Sequence, residues 1–360
     1  MDKMNIPIGP QHPLLKEPLR LNIEISGERV LGGILRLGYV HRGIEKLAQT
    51  RNYNQNVSLT ERVCGICSHV HTTTFCRAVE ALLGLELPER VHYIRALMCE
   101  MERIHSHLLW LGILAKHIGL EMVFMHTWHD RESILDVMEE MSGGRVAHAV
   151  NQIGGVRFDL DEDHGPMVDS TVKKLKVDYE ELLDVIEHDT TLKARTQGVA
   201  PLSTDDMKRY CVVGPVARAS GVDVDMRRDD PMPPYDKLDF QVITHPDGDA
   251  WSRTYVRLQE IRQSLHLCKQ IIDDIPEGPI SVRAPRKVPA GEVVMRSEAP
   301  RGELFYYLRS DGSDYPARLK IRTPTLPALG ILPEQLSEIH IADIPVVLAG
   351  IDLCIACADR

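Results

Sequence analysis

The sequence has no apolar run long enough to act as a signal peptide or to span a bilayer. Its first residues, MDKMNIPIGPQHP, are too polar for a secretory signal. The most apolar late stretch, IPVVLAGIDLCIAC, is shorter than the roughly 20 residues that a membrane helix needs, and Pro345 and Asp352 interrupt it. We therefore expect a soluble, cytoplasmic chain that reaches a membrane only through other subunits.

The chain also has no excess of basic over acidic residues. The chain has 42 Lys and Arg residues against 52 Asp and Glu, a formal net charge of -10. A nucleic-acid binder needs a basic face to neutralise phosphates, so this class of protein is excluded. Internal repeats and low-complexity tracts are absent. With 43% hydrophobic and 26% charged residues, the chain can bury a sizeable core.

The apolar pattern predicts a mainly α fold with a small β-containing region near each end. The segment LRLNIEISGERVLGGILRLGYV alternates apolar and polar residues and breaks at Gly27, which is typical of an antiparallel hairpin. After Pro88, apolar residues recur every three or four positions, as the buried face of a long helix requires. Near the other end, RGELFYYLRSDGS predicts a second hairpin and TPTLPALGIL predicts a loop.

We expect one domain over residues 1–360, built from three parts. Residues 1–58 form a β-containing region, 59–277 a helical bundle, and 278–360 a mixed region. Beside the long helix after Pro88, the bundle is predicted to hold helical segments at about 59–83, 128–141, 166–195, 204–210 and 250–274, and an irregular loop near 222–249.

The chain has 8 cysteines, and half of them form two Cys-x-x-Cys pairs. Cysteines in a cytosolic chain of this size should be reduced, so close spacing indicates metal or redox chemistry rather than disulfides. Cys64 and Cys67 lie in RVCGICSHVH, and Cys354 and Cys357 lie in DLCIACADR. The remaining cysteines are scattered and are predicted to pack as small hydrophobic residues; they are Cys76, Cys99, Cys211 and Cys268.

Together the pairs offer four soft thiolates, which suit zinc, nickel, copper(I) or iron clusters. Arg62 can stabilise thiolate charge. His71, one turn beyond Cys67, can donate a hydrogen bond to a sulfur. A structural four-cysteine zinc site is one alternative, although compact zinc modules place their pairs about 15–20 residues apart. Two unrelated pairs are the other alternative.

These motifs resemble the signatures of nickel–iron hydrogenase large subunits. RVCGICSHVH matches R-x-C-G-x-C-x-x-x-H, and DLCIACADR matches the C-terminal D-P-C-x-x-C-x-x-H/R signature with Leu353 in place of the usual proline. The resemblance continues through GPQHP, HRGIEKL, RAVEAL, ERIHSHLLWLG and EAPRGE and covers essentially the whole chain. GPQHP and the terminal Arg360 point to the energy-converting, membrane-associated (Ech-like) branch, which is related to the quinone-site subunit of respiratory complex I.

The resemblance implies a Ni–Fe centre that carries CO and cyanide on the iron. Cys64 and Cys354 would be terminal ligands of nickel, and Cys67 and Cys357 would bridge nickel and iron. Both ends of the chain would then have to converge on this metal site.

Other matched residues would serve the same centre. Arg301, in APRG, would lie over the metals, hydrogen-bond a cyanide and help to split dihydrogen. Pro324 and Thr325, in RTPTL, match the position that contacts the other cyanide. Glu17, in LLKEPLRL, matches the proton-gate glutamate beside a terminal cysteine, where burial would make its pKa tunable.

A magnesium ion is a further implication, with Glu45 of HRGIE as its ligand. Many relatives supply a terminal histidine to this ion. Arg360 stands at that position here, and a guanidinium has no lone pair to offer. The alternative for Glu45 is a salt bridge to an arginine.

The function implied is that of a catalytic large subunit that interconverts dihydrogen with protons and electrons. The chain has no spare cysteine set for an iron–sulfur cluster, so a small subunit with a [4Fe–4S] cluster is expected. Ferredoxin-like electron-transfer subunits and integral, ion-translocating membrane subunits would complete a complex on the cytoplasmic side of the membrane. The alternatives are a metal-free quinone reductase subunit of the complex I type, a structural zinc protein, and a sulfur-reducing relative of the same branch.

Overall fold

The computed structural model describes residues 3–360 and is mainly helical, which confirms the predicted fold class. The α-helices of the described residues are α1 (Ile44–Ala48), α2 (Tyr53–Glu61), α3 (Ser68–Leu83), α4 (Glu89–Ile118), α5 (Glu121–Ser142), α6 (His164–His188), α7 (Thr190–Thr196), α8 (Thr204–Tyr210), α9 (Pro215–Arg218), α10 (Met226–Asp229), α11 (Ala250–Asp274), α12 (Thr325–Gln335), α13 (Ile344–Ile351) and α14 (Ile355–Asp359). The strands are β1 (Lys3–Ile8), β2 (Arg20–Ser26), β3 (Arg29–Arg36), β4 (Asn151–Gln152), β5 (Gly155–Val156), β6 (Gly291–Ala299), β7 (Gly302–Ser310) and β8 (Pro316–Arg322).

The strands form antiparallel sheets in the orders β1-β2-β3, β4-β5 and β6-β7-β8. The predicted N-terminal hairpin is β2–β3, and β1 adds a strand that the alternation did not predict. Along β2, Leu21, Ile23 and Ile25 alternate with less buried residues and face the core. They pack in one apolar cluster with residues of α12 and α13. The N-terminal sheet therefore rests on the C-terminal helices.

Helix α4 is the central element of the bundle and begins directly after Pro88, as predicted. It packs against α5 on one side and α11 on another. Ile94 and Met98, which belong to the predicted apolar face, are almost completely buried. The indole N–H of Trp110 donates to the carbonyl oxygen of Ala349 at 2.6 Å. This bond fixes α13, and with it the C-terminal region, to the bundle.

Several segments differ from the predicted pattern. The segment 59–83 is not one helix, because residues 62–67, which hold the first cysteine pair, leave helical geometry between α2 and α3. The segment 166–195 divides at Asp189, whose carboxylate accepts from the Leu192 N–H and begins α7. The prediction of a loop at TPTLPALGIL is wrong, because α12 forms there. Pro327 lies in its first turn, where backbone N–H groups have no intrahelical acceptor.

Other parts of the pattern are confirmed. Helices α8 and α11 match the predicted segments 204–210 and 250–274. The region 222–249 is irregular apart from α10 and a 3-10 turn at Tyr235–Lys237. Within residues 3–360, no helix is both long and apolar enough to cross a membrane. The assignment of residues 1–360 to a single domain, with divisions near residues 58 and 277, stays a prediction.

A buried ion pair joins α3 to α4. The guanidinium of Arg95 donates to both carboxylate oxygens of Glu80, at 2.7 and 2.8 Å. It also donates to the carbonyl oxygens of Gln152 (3.2 Å) and Gly155 (3.0 Å), while the Gly154 N–H donates to Glu80 at 2.8 Å. The pair thus holds the β4–β5 ribbon against both helices.

We predict that Glu80→Gln lowers the free energy of unfolding by about 3–5 kcal/mol, because it leaves the Arg95 guanidinium buried without a counter-charge. Urea denaturation followed by circular dichroism measures this loss. The control is Glu89→Gln, which removes an exposed pair with Lys237 and should change stability by about 0–1 kcal/mol. Losses of equal size in the two variants would contradict the prediction.

Candidate metal centre

The first cysteine loop, residues 62–67, connects α2 to α3. The Cys64 sulfur accepts from the backbone N–H groups of Ile66 and Cys67, both at 3.3 Å, which folds the loop into a tight turn. Cys67 precedes the first residue of α3, so its sulfur belongs to the positive end of that helix. Such a position favours a thiolate.

The second cysteine loop lies between α13 and α14. Cys354 directly precedes α14, so this thiol also belongs to a helix N-terminus. The Thr325 hydroxyl oxygen, at the start of α12, accepts from the Cys354 N–H at 3.4 Å. The Thr323 hydroxyl donates to the Cys357 carbonyl oxygen at 3.0 Å. Pro324, between these threonines, is buried and precedes α12.

The structure brings the two pairs together. The sulfurs of Cys64 and Cys354 lie 3.5 Å apart, and those of Cys67 and Cys357 also lie 3.5 Å apart. All are at most 3% exposed. Sulfurs in such proximity form a donor set that one metal centre can use.

The charges of these thiols favour a cation among them. Hydrogen bonds from Cys357 and Cys64 lower the pKa of Cys67 to about 7. The pKa of Cys357 is raised well above its ordinary value, because its hydrogen bonds with the neighbouring sulfurs and its burial disfavour a further negative charge. The first proton therefore leaves readily and the last does not. A bound metal would remove this repulsion, so the donor set fits a thiolate-bound metal.

Arg42, which the sequence analysis missed, ties the two cysteine loops to each other. Its guanidinium donates to the carbonyl oxygens of Arg62 (2.5 Å) and Val63 (2.8 Å) in the first loop. It also donates to that of Ala356 (3.0 Å) in the second. Arg42 belongs to the HRGIEKL segment, but a resemblance of segments does not reveal which side chain bridges two loops.

His71 contacts the cysteine cluster from α3, as predicted. Its Nε2 lies 3.6 Å from the Cys357 sulfur, and its Nδ1 lies 2.8 Å from the Tyr306 hydroxyl. Burial lowers the pKa of His71 to about 4, so the ring is neutral at physiological pH. When Tyr306 donates to Nδ1, the ring proton is on Nε2 and faces the sulfur.

Arg301 lies in the buried turn between β6 and β7. Its guanidinium donates to the carbonyl oxygen of Asp352 at 2.9 Å and pairs with the Asp352 carboxylate at 3.1 Å. Lys16 pairs with the same carboxylate at 3.2 Å. Burial opposes the charge on Arg301, but Asp352 and the nearby thiolates raise its pKa well above the usual value. Arg301 is therefore a fixed cation beside the sulfurs.

Two glycines fix the backbone at Arg301. Gly302 has φ +125° and Gly214 has φ +74°, values that residues other than glycine rarely adopt. A Cβ on Gly214 would lie 2.3 Å from the Arg301 carbonyl oxygen and from the Gly302 Cα. The loop before α9 and the β6–β7 turn thus pack backbone against backbone.

Glu17 reaches the cluster from the segment between β1 and β2. Its carboxylate lies 4.0 Å from the Cys354 sulfur and accepts from the N–H groups of Ile355 and Ala356. Burial and the Cys354 charge raise the pKa of Glu17 to about 7, although the backbone hydrogen bonds oppose this shift. A carboxyl group of this kind can hold or release a proton beside a thiolate.

Two predicted site residues lie elsewhere. The Arg62 side chain is 59% exposed and pairs with Glu61, so it does not reach the sulfurs. The Glu45 carboxylate accepts from the Ile321 N–H (2.9 Å) and pairs with Lys320 and Arg360, each at 3.0 Å. Cations already balance its charge, so these residues do not fit a magnesium ion, and the salt-bridge alternative describes them.

Asp352, Lys16 and Tyr306 were also missed as site residues. Asp352 lies two residues before Cys354 in the quoted DLCIACADR motif, so the sequence did indicate that it could lie near the site. Lys16 precedes Glu17 and gave no separate signal. Tyr306 lies in a strand pattern, where a buried aromatic residue indicates only packing.

Comparison with known proteins gives matches along almost the whole chain. Residues 117–288 and 281–360 match the family described as "Respiratory-chain NADH dehydrogenase, 49 Kd subunit". Residues 42–116 match the family described as "Nickel-dependent hydrogenase". The first cysteine pair therefore falls within the hydrogenase match and the second within the dehydrogenase match.

Individual relatives are similar over their full length. The chain is 41% identical to the carbon monoxide-induced hydrogenase of Rhodospirillum rubrum, over 100% of both chains. It is 40% identical to a subunit of the F420H2 dehydrogenase of Methanosarcina mazei, over 100% of this chain and 98% of that one. It is also similar to a chain of the membrane-bound sulfane sulfur reductase, described as an archaeal respiratory membrane complex, with a TM-score of 0.96, 32% identity, and coverage of 100% and 99%.

We predict that Arg42→Gln weakens cobalt(II) binding to the thiols about tenfold or more, because the two cysteine loops lose their shared donor. The absorbance of cobalt–thiolate charge transfer measures this affinity in the metal-free chain. Arg62→Gln is the matched control and should bind cobalt like the wild-type chain. The reverse order of effects would mean that Arg62, not Arg42, supports the site.

Proposed function

Because the chain belongs to the nickel–iron hydrogenase large-subunit family, in the membrane-associated branch related to the 49 kDa subunit of the respiratory-chain NADH dehydrogenase, we propose that it is the catalytic large subunit of a Ni–Fe hydrogenase. The observation that carries this proposal is the convergence of four buried cysteine sulfurs, with separations of 3.5 Å across the two pairs. A quinone reductase subunit without a metal has no need of four crowded thiols.

Cys64, Cys67, Cys354 and Cys357 would hold the centre through their sulfurs. Cys64 lies beside Cys354 and Cys67 lies beside Cys357, so all of these sulfurs can contact one centre. A Ni–Fe centre with CO and cyanide on the iron would supply the site where dihydrogen forms or splits. Because the sulfurs are buried, bulk water is excluded from that chemistry.

Arg301 would place a fixed positive charge beside the reacting hydrogen. Asp352 holds the guanidinium at both its backbone and its side-chain oxygens, so the cation is oriented before any substrate arrives. His71 would donate to the Cys357 sulfur and moderate its charge. The Thr325 hydroxyl supports the Cys354 backbone, and Pro324 directly precedes the helix that Thr325 begins. Both residues would contribute to binding the centre.

Glu17 would carry the proton. Heterolytic cleavage of dihydrogen needs a base and a path for the proton. The Glu17 carboxylate lies 4.0 Å from the Cys354 sulfur, and Glu17 also lines a small cavity together with Leu14, Leu353 and His117. A proton can thus pass between the Cys354 sulfur and the Glu17 carboxyl group without crossing the apolar core.

Electrons would arrive from partner subunits. Beyond the two pairs, Cys76, Cys99 and Cys268 are buried and Cys211 is exposed, and these cysteines do not form a cluster-binding set within the described residues. A small subunit with a [4Fe–4S] cluster, ferredoxin-like electron-transfer subunits and integral membrane subunits would complete the complex. The chain would then lie peripherally on the cytoplasmic side of the membrane, with ion translocation in the membrane subunits.

We predict that the purified complex shows infrared bands of CO and cyanide, contains nickel and iron, and evolves dihydrogen from a reduced low-potential donor. Cys64→Ser and Cys357→Ser should abolish the bands and the activity because each removes a ligand. Cys211→Ser, at an exposed cysteine outside the site, should change neither.

Other results would replace this proposal with a named alternative. Zinc in the thiol site without infrared bands would indicate a structural zinc protein. Quinone reduction by a metal-free chain would indicate the complex I-like function. Intact bands with sulfur reduction instead of dihydrogen turnover would indicate a sulfur-reducing enzyme.

We predict that Glu17→Gln lowers dihydrogen evolution about 100-fold or more while the infrared bands and the nickel content stay unchanged, because the amide cannot carry the proton. Glu17→Asp should recover part of the activity. The control is Glu28→Gln, at an exposed turn between β2 and β3. Loss of the bands in Glu17→Gln would show that the residue acts on assembly of the centre and not on proton transfer.

A further inference from the structure

A groove between α5 and α6 collects metal-ligand side chains far in sequence from the cysteines. His126, His129 and Asp130 line it from α5, and Asp178 and Glu181 line it from α6. His126 lies three residues before His129 and four before Asp130, and Asp178 lies three before Glu181, so each helix presents these residues toward the groove. Nothing in the proposed hydrogenase chemistry uses them.

None of these groove side chains forms a hydrogen bond or an ion pair within residues 3–360. Several other charged side chains on or beside the same two helices do have partners. Arg145 binds the carboxylates of Glu132, Asp136 and Glu139 beyond the far end of the groove, and Lys173 binds Asp169. The groove residues thus differ from these paired neighbours.

Asp130 is the informative member of the group. The residue is only 3% exposed, it borders the groove, and no donor of the described chain reaches its carboxylate. Because the residue borders the groove and its oxygens are not enclosed by protein atoms, the carboxylate is accessible from the groove. Burial and the nearby Asp178 raise the pKa of Asp130. The charges of His129, His126 and Lys174 oppose this shift in pKa, but Lys174 forms no ion pair with Asp130 or Asp178.

We propose that this groove binds a divalent transition-metal ion of the Zn²⁺ class, with Asp130 as the fixed ligand and with His126, His129 and Asp178 as the ligands that close around it. Imidazole nitrogens combined with carboxylate oxygens suit zinc and its neighbours, whereas magnesium and calcium prefer oxygen alone. The ion would supply the positive charge that the buried carboxylate lacks.

Binding requires movement of the exposed ligands. Within the described residues, the ligand atoms that already lie within 4.8 Å of one another are all at the cysteine centre. The histidine side chains of the groove are exposed and can rotate about their side-chain bonds toward Asp130. Asp130 is held by the packing of α5 and does not need to move. Glu181, at the rim, can offer an oxygen in place of Asp178.

The test uses the purified, metal-loaded complex, in which the cysteine thiols are already occupied. Isothermal titration with Zn²⁺ measures stoichiometry and affinity, and Mg²⁺ is titrated as a comparison. Titration with Co²⁺ then identifies the ligand type, because thiolate ligands give charge-transfer absorption and nitrogen–oxygen ligands do not. We expect one equivalent of Zn²⁺, no charge-transfer absorption from the added Co²⁺, and no competition by Mg²⁺.

Variants assign the site to the groove. Asp130→Asn and His126→Gln should each weaken Zn²⁺ binding about tenfold or more. The matched control is the exposed His188 and Asp184 pair near the end of α6; His188→Gln and Asp184→Asn should leave the affinity unchanged. Circular dichroism and the nickel and iron content show whether each variant is folded and loaded.

Three results would overturn the proposal: no binding of Zn²⁺, unchanged affinity in a folded Asp130→Asn variant, or displacement of Zn²⁺ by Mg²⁺ at similar concentration. None of the readouts depends on dihydrogen turnover, so failure here leaves the hydrogenase proposal untouched.

Discussion

Two cysteine loops separated by 290 residues must meet within 3.5 Å, and most of the architecture serves this contact. The first loop interrupts the helical bundle, and the second lies on the C-terminal helices. The N-terminal sheet packs on those helices, the Trp110 bond attaches them to α4, and Arg42 joins the loops directly. Neither pair alone has enough donors for a four-thiolate centre, so the site exists only in the folded chain.

Electrostatics at the site follow from burial. Four crowded thiolates would repel one another, and the cation beside them is Arg301, which is itself held by Asp352. His71 remains neutral because its ring is buried. Glu17 has a pKa of about 7 because burial and Cys354 act against its backbone donors. The protonation state of each of these groups thus depends on its burial and its neighbours.

The sequence predicted the side chains of the site better than it predicted the residues that hold them in place. Cysteine spacing and the resemblance identified the thiols, His71, Arg301 and Glu17, which the structure brings to one place. Arg62 was expected at the sulfurs because it is adjacent in sequence, but adjacency does not determine where a long side chain points. Arg42 does the bridging through contacts between distant segments, and no local pattern records such contacts.

The same limit applies to the fold. Amphipathic periodicity located α8 and α11 correctly, because their burial repeats with the helical period. It missed α12, because prolines are read as breakers although a first turn tolerates them.

The close packing of Gly214 against Gly302 has a consequence for how this protein can change. A methyl group at either position would have to displace the Arg301 backbone or the opposite glycine. The two positions are therefore constrained by the same backbone contact, although they lie on different segments. Replacing both glycines should be tolerated no better than replacing one, so neither position can accept another residue through neutral mutation.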